Sequence, residues 1–116
     1  MVAPIKTDLG AFAEGEVPPD LRITFTDFDD VVINLAGFTN LQMNIEEELA
    51  GTTGFGTGAY TVTDSGNGET TYVWVRGDMD TVGEYQLQGW INNGTKYFAS
   101  DLYIYTVYDG PGTEPA

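Results

Sequence analysis

From residue 21 onward, apolar and polar side chains alternate in short runs separated by turn residues. Leu21, Ile23 and Phe25 alternate with Arg22, Thr24 and Thr26, and Asp27-Phe28-Asp29-Asp30 then turns the chain. Residues 31–35 form a second short extended piece, closed by Ala36-Gly37. Leu41, Met43 and Ile45 alternate with Asn40, Gln42, Asn44 and Glu46, the period of a half-buried antiparallel strand. Glu46-Glu47-Glu48-Leu49-Ala50 could begin a helical turn that Gly51 ends, and the glycines from Gly51 to Gly58 predict a loop. Tyr60 and Val62 lead into the turn Asp64-Ser65-Gly66-Asn67-Gly68, and Thr70, Tyr72 and Trp74 share one face of the returning strand. Tyr85, Leu87, Gly89 and Ile91 then alternate with Glu84, Gln86, Gln88 and Trp90. Asn92-Asn93-Gly94 predicts a hairpin, because Asn-Gly suits the positive φ angles of a type I′ turn. Extended pieces at 96–99 and 102–108 complete the series.

About seven short strands with regular turn signals and no convincing helix predict an all-β fold. The expected architecture is an immunoglobulin-like antiparallel β-sandwich over residues 18–109, with a small barrel as the alternative. Residues 1–17 follow neither a period of two nor one of 3.6, and Pro18-Pro19-Asp20 closes them. They read as an extended N-terminal arm outside the core, long enough to span roughly 55 Å. Its isolated apolar residues, Ile5, Leu9 and Phe12 among them, would order against a neighbouring molecule. Residues 110–116 read as a flexible C-terminal tail.

Composition removes most chemistry. The 116 residues include 18 Asp and Glu against 4 Lys and Arg, a net charge of −14, with no His and no Cys. Disulfides, thiolate nucleophiles, zinc fingers and histidine bases are therefore excluded. Four cations cannot neutralise a row of phosphates, so neither nucleic acid nor an anionic membrane is an expected partner. No apolar run approaches the ~18 residues of a spanning helix, and no secretory signal is visible at the start. Asp27-x-Asp29-Asp30 and Asp78-x-Asp80 have the spacing of oxygen ligands, but turn chemistry accounts for them better than a bound metal. Neither an enzyme nor a cofactor is expected.

Two stretches carry a resemblance. One runs from Tyr72-Val-Trp74 through Asp80 and Gly83 to Tyr85; the other is Trp90-Ile-Asn-Asn-Gly94-Thr-Lys-Tyr-Phe98. Asp80, Gly83 and Tyr85 are similar to the residues before strand F of immunoglobulin-like domains, where the tyrosine hydroxyl bonds back to nearby backbone. The spacing departs from the antibody pattern by one residue and the bridging cysteines are missing. The order of features over residues 18–109 resembles the immunoglobulin-like modules of tailed-phage virion proteins, including the N-terminal domain of the baseplate upper protein family. In those proteins further domains follow, whereas this sequence ends soon after, so a stand-alone accessory subunit is expected.

The resemblance implies a non-enzymatic structural protein of the virion, made in the host cytoplasm. The most specific expectation is a capsid decoration or cement protein, partnered by the major capsid protein or other virion proteins and by copies of itself. The alternatives are a tail, baseplate or head–tail accessory and, from another class, a carbohydrate-binding module. The candidate partner-binding residues are Ile5, Leu9 and Phe12 in the arm and Trp90, Tyr97 and Tyr103 as exposed aromatics. Tyr72, Trp74, Asp80, Gly83 and Tyr85 are the candidate fold-defining residues.

Overall fold

The computed structural model describes residues 6–27, 29–47 and 53–109. The described residues form nine strands: β1 Lys6–Ala13, β2 Leu21–Thr24, β3 Asn40–Glu47, β4 Thr53–Phe55, β5 Tyr60–Asp64, β6 Glu69–Tyr72, β7 Gly83–Asn92, β8 Tyr97–Ala99 and β9 Leu102–Tyr108. Single 3₁₀ turns occupy Ser65–Asn67 and Arg76–Met79. The larger sheet has the order β1-β9-β7-β3-β4, with β8 also paired to β7, and the smaller has the order β2-β6-β5. The two sheets face each other as an all-β sandwich. The order β9-β7-β3-β4 facing β2-β6-β5 follows the G-F-C-C′ and B-E-D plan of immunoglobulin sandwiches.

The inward positions of the alternating segments meet in one core of Ile23, Phe25, Leu35, Phe38, Met43, Tyr72, Trp74, Met79, Leu87, Ile91, Tyr105 and Val107. Aromatic rings form its centre. Trp74 lies edge-on to both Tyr72 and Tyr105, with centroids 5.3 Å apart in each case, and Tyr85 stacks on Tyr105 at 5.1 Å. These offset and edge-to-face contacts are the arrangements ring quadrupoles favour. Every buried side-chain nitrogen and oxygen among the described residues has a hydrogen-bond partner. Gly89 faces inward where the Tyr60 ring crosses from the other sheet, and a Cβ there would collide with the phenol.

Four expectations are corrected. The segment read as an arm is, from Lys6 onward, an edge strand lying parallel to β9, with Leu9 and Phe12 packed against the core. Leu9 and Phe12 both turn inward because the register shifts between Asp8 and Ala11, where Gly10 takes φ 104°. Ile5 and the tail at 110–116 lie outside the described residues. The expected loop after Gly51 contains β4, paired to β3 from Thr53 to Phe55. Residues 31–35 form only a single bridge, Thr26 to Val32, since Asp27 accepts from the Asp29 and Val31 amides and bends the chain there. The hairpin at Asn93-Gly94 is not a two-residue type I′ turn. Gly94 has φ 91°, whereas Asn93 does not share the left-handed region and instead accepts from the Thr95 and Lys96 amides through Oδ1.

Candidate functional site

The outer face of the larger sheet is built from the polar positions of β3 and β7 and their cross-strand neighbours. Register pairs Asn40 with Asn92, Gln42 with Trp90 and Asn44 with Gln88. Farther out, Trp90 pairs with Ala99, Asn92 with Tyr97, and Asn44 with Phe55 on β4. Paired residues share a face, so these side chains form one strip of amides and aromatics. Its exposed members include Trp90 at 38%, Tyr97 at 63% and Phe55 at 64%. No residue in these rows carries a charge. The acids Glu46, Glu84 and Asp8 belong to the rows beyond it, and Lys6 sits on the edge strand opposite Leu102.

A groove of about 260 Å³ runs along this face, lined by Asn44, Glu46, Gln86, Leu87, Gln88 and Leu102. The amides are held in place. The Gln42 amide nitrogen donates to Asn44 Oδ1 at 2.7 Å, and that of Gln88 donates to the Ser100 carbonyl at 2.8 Å. Ser100 bridges the break between β8 and β9, its hydroxyl accepting from the Gly89 amide at 2.9 Å and donating to the Asp101 carbonyl at 2.8 Å. The sheet therefore stays continuous beside Trp90.

Trp90 lies on the outer face as its parity implies, Tyr97 is exposed beside it, and Leu9 and Phe12 do not join them. Tyr103 is also corrected. It pairs with Leu87, an inward position, and is half-buried against the core. Burial is the main reason its phenol pKa is raised, with Asp101 adding to the effect. Phe55, which completes the strip on β4, was hidden in a glycine-rich segment with no alternation to reveal it.

Asp80, Gly83 and Tyr85 lie at one pole, around the turn that enters β7, whereas Tyr72 and Trp74 belong to the aromatic centre. The Tyr85 hydroxyl donates to the Thr81 carbonyl at 2.6 Å, closing the corner before β7. Replacing Tyr85 with Phe should cost about 1 kcal/mol. Chemical denaturation would measure this, and an unchanged midpoint would remove the corner from the account of stability. Asp78 is a pin the sequence did not announce. Its carboxylate accepts from the Tyr72 hydroxyl at 2.7 Å and the Val75 amide at 3.1 Å, and its carbonyl accepts from the Tyr105 hydroxyl at 3.2 Å. Burial, followed by the bond to Asp78, raises the Tyr72 pKa; burial and the Asp78 charge raise that of Tyr105. Burial also pushes Tyr60 up to about 12, although its bond to Thr70 opposes the shift. The carboxylates at this pole border a recess of about 260 Å³ with Thr81 and Tyr85. Among the described residues no group of three or more acids is placed to hold a metal ion. No protein-family model matches the chain, and no curated protein matches it either.

Proposed function

We propose that this chain is a non-enzymatic structural protein of a tailed-phage particle, a capsid decoration protein that docks through the outer face of its larger sheet. The observation that carries the docking is the uncharged amide and aromatic strip around Trp90 on a chain of net charge −14. Interface centres are depleted of charge and enriched in Trp and Tyr, and such residues supply most of the binding energy. A neutral strip also lets an acidic protein approach a surface without burying unpaired carboxylates. The phage setting rests on the resemblance over residues 18–109. With Leu9 and Phe12 inside the fold, contact with the major capsid protein falls to the sheet face rather than to an arm. Repetition over a lattice, with contacts between copies, would turn weak single sites into firm attachment.

The Trp90→Ala/Tyr97→Ala double variant should keep its fold, because both side chains are exposed. Its binding to purified particles should weaken by at least about tenfold, roughly 1.4 kcal/mol. Unaltered binding would overturn the docking face. Copy number separates the locations: hundreds per particle means lattice decoration, and a few dozen or fewer means the tail, baseplate or neck. A second reading is favoured by the amides Asn40, Gln42 and Asn92 around Trp90 and Tyr97. Rings that stack on sugars, flanked by groups that bond hydroxyls, also suit a neutral polysaccharide. Quenching of Trp fluorescence by polysaccharide, lost in Trp90→Ala, together with no binding to particles, would establish that reading instead.

A further inference from the structure

The chain contains two Asn-Gly pairs, Asn67-Gly68 and Asn93-Gly94. Asparagine is thermally labile, and most so before glycine, where no Cβ obstructs attack by the following backbone nitrogen. In that reaction the glycine nitrogen forms a bond to the asparagine Cγ and the Cγ–Nδ2 bond breaks. Ammonia leaves with the proton of the glycine amide. Water then opens the resulting succinimide to aspartate or isoaspartate, so the net change is one water consumed and one ammonia released.

The two pairs are held very differently. Gly68 is buried, and its N–H donates to the Ser65 carbonyl at 3.3 Å while its own carbonyl accepts from Phe25 at 2.9 Å. A Cβ at Gly68 would lie 2.8 Å from the carbonyl oxygens of both Phe25 and Ile33, so its backbone has no room to swing. The Asn67 side chain is tied as well, its amide nitrogen donating to Asp64 Oδ2 at 2.7 Å.

Asn93-Gly94 is exposed, and a Cβ at Gly94 would meet nothing within 4 Å. The Asn93 side-chain oxygen accepts from the Thr95 amide at 3.0 Å and the Lys96 amide at 2.7 Å. That oxygen gains negative charge when the glycine nitrogen adds to Cγ, and two fixed N–H donors stabilise the charge as an oxyanion hole does. The Gly94 N–H donates to Asn92 Oδ1 at 3.1 Å, and hydroxide from the buffer takes the proton that the nitrogen must shed. The turn thus polarises the electrophile and leaves the nucleophile open to solvent.

We propose that Asn93 is a site of spontaneous deamidation in the folded protein and that Asn67 is protected. The product sets a carboxylate next to Asn92 and four residues from Tyr97, at one end of the neutral strip. Weakened docking would follow; that consequence rests on the proposed function, whereas the modification does not.

The test needs no partner. The full chain is incubated in mildly alkaline buffer, folded and in urea, and mapped by peptide mass spectrometry for a gain of about 1 Da. The folded protein should react at Asn93 at least about tenfold faster than at Asn67, and no more slowly than in urea. Asn67 should react only in urea. Folding that slows Asn93, or a folded chain that reacts first at Asn67, would overturn the proposal.

Discussion

Deleting residues 1–17 should destabilise the domain, lowering its melting temperature by roughly 10 °C or more. The deletion removes β1, and with it Leu9 and Phe12 from the edge of the core. Two half-buried apolar side chains of this size contribute on the order of 2–3 kcal/mol together. The loss does not stop there. Phe12 covers Trp74 and Tyr105, with ring centroids 6.5 and 6.3 Å away, so its removal opens the aromatic centre to water. The β9 edge loses its parallel partner, and Tyr108 and Met79 lose the amides of Glu14 and Gly15 that bond their carbonyls. An exposed edge of this kind also invites aggregation. Thermal melts followed by circular dichroism would measure the effect, with Phe12→Ala expected to reproduce much of it. A truncated chain with an unchanged melting temperature would show that β1 is not part of the cooperative fold.

Alkaline pH should unfold the protein steeply. Tyr60, Tyr72, Tyr85, Tyr103 and Tyr105 all have pKa values raised above the ordinary 10.0, in each case mainly by burial. A phenol with a raised folded-state pKa holds its proton more tightly in the native state than in the unfolded chain. Its contribution is fully present below pH 10 and is lost as pH rises from there through the folded value, about 12 for Tyr60. In that window Tyr60 alone removes up to about 1.4 kcal/mol per pH unit, and the other four add to the loss in the same direction. Phenolate absorbance should therefore rise in step with loss of the circular dichroism signal. Normal ionisation of these five tyrosines near pH 10 with the fold intact would contradict the packing described for the aromatic centre.

Much of the fold was legible because strands with one wet face write a period of two. The strands β2, β3, β6 and β7 could be traced that way, and the parity of Trp90 against Leu87 and Ile91 placed it outside. The misread strand has a physical cause. In β1 the two inward residues, Leu9 and Phe12, are three apart, since the bulge near Gly10 absorbs one residue and erases the alternation. β4 is too short and too rich in glycine to show any period. Tyr103 was misplaced because three nearby tyrosines cannot all be sorted without the β9 register that sets Tyr103 against Leu87. The bond from Tyr72 to Asp78 depends on a 3₁₀ turn folding back on the strand before it, and local sequence does not encode the partner of such a carboxylate. The strip itself was visible one strand at a time as amides at polar positions. Only the register showed that three strands and Phe55 join into one neutral surface.

The parallel pairing of the first strand with the last has a mechanical consequence. Lys6 lies beside Leu102 and Ala13 beside Tyr108, so residues 6 and 109 sit at opposite ends of a ladder roughly 20 Å long. Tension applied across those two points drags β1 and β9 past each other along their length. The backbone bonds between them, and those fastening Glu14 and Gly15, are then loaded together in shear instead of being opened one at a time. Pulled end to end, this small acidic domain is braced like a lap joint, with the force carried by the strand that hides Phe12.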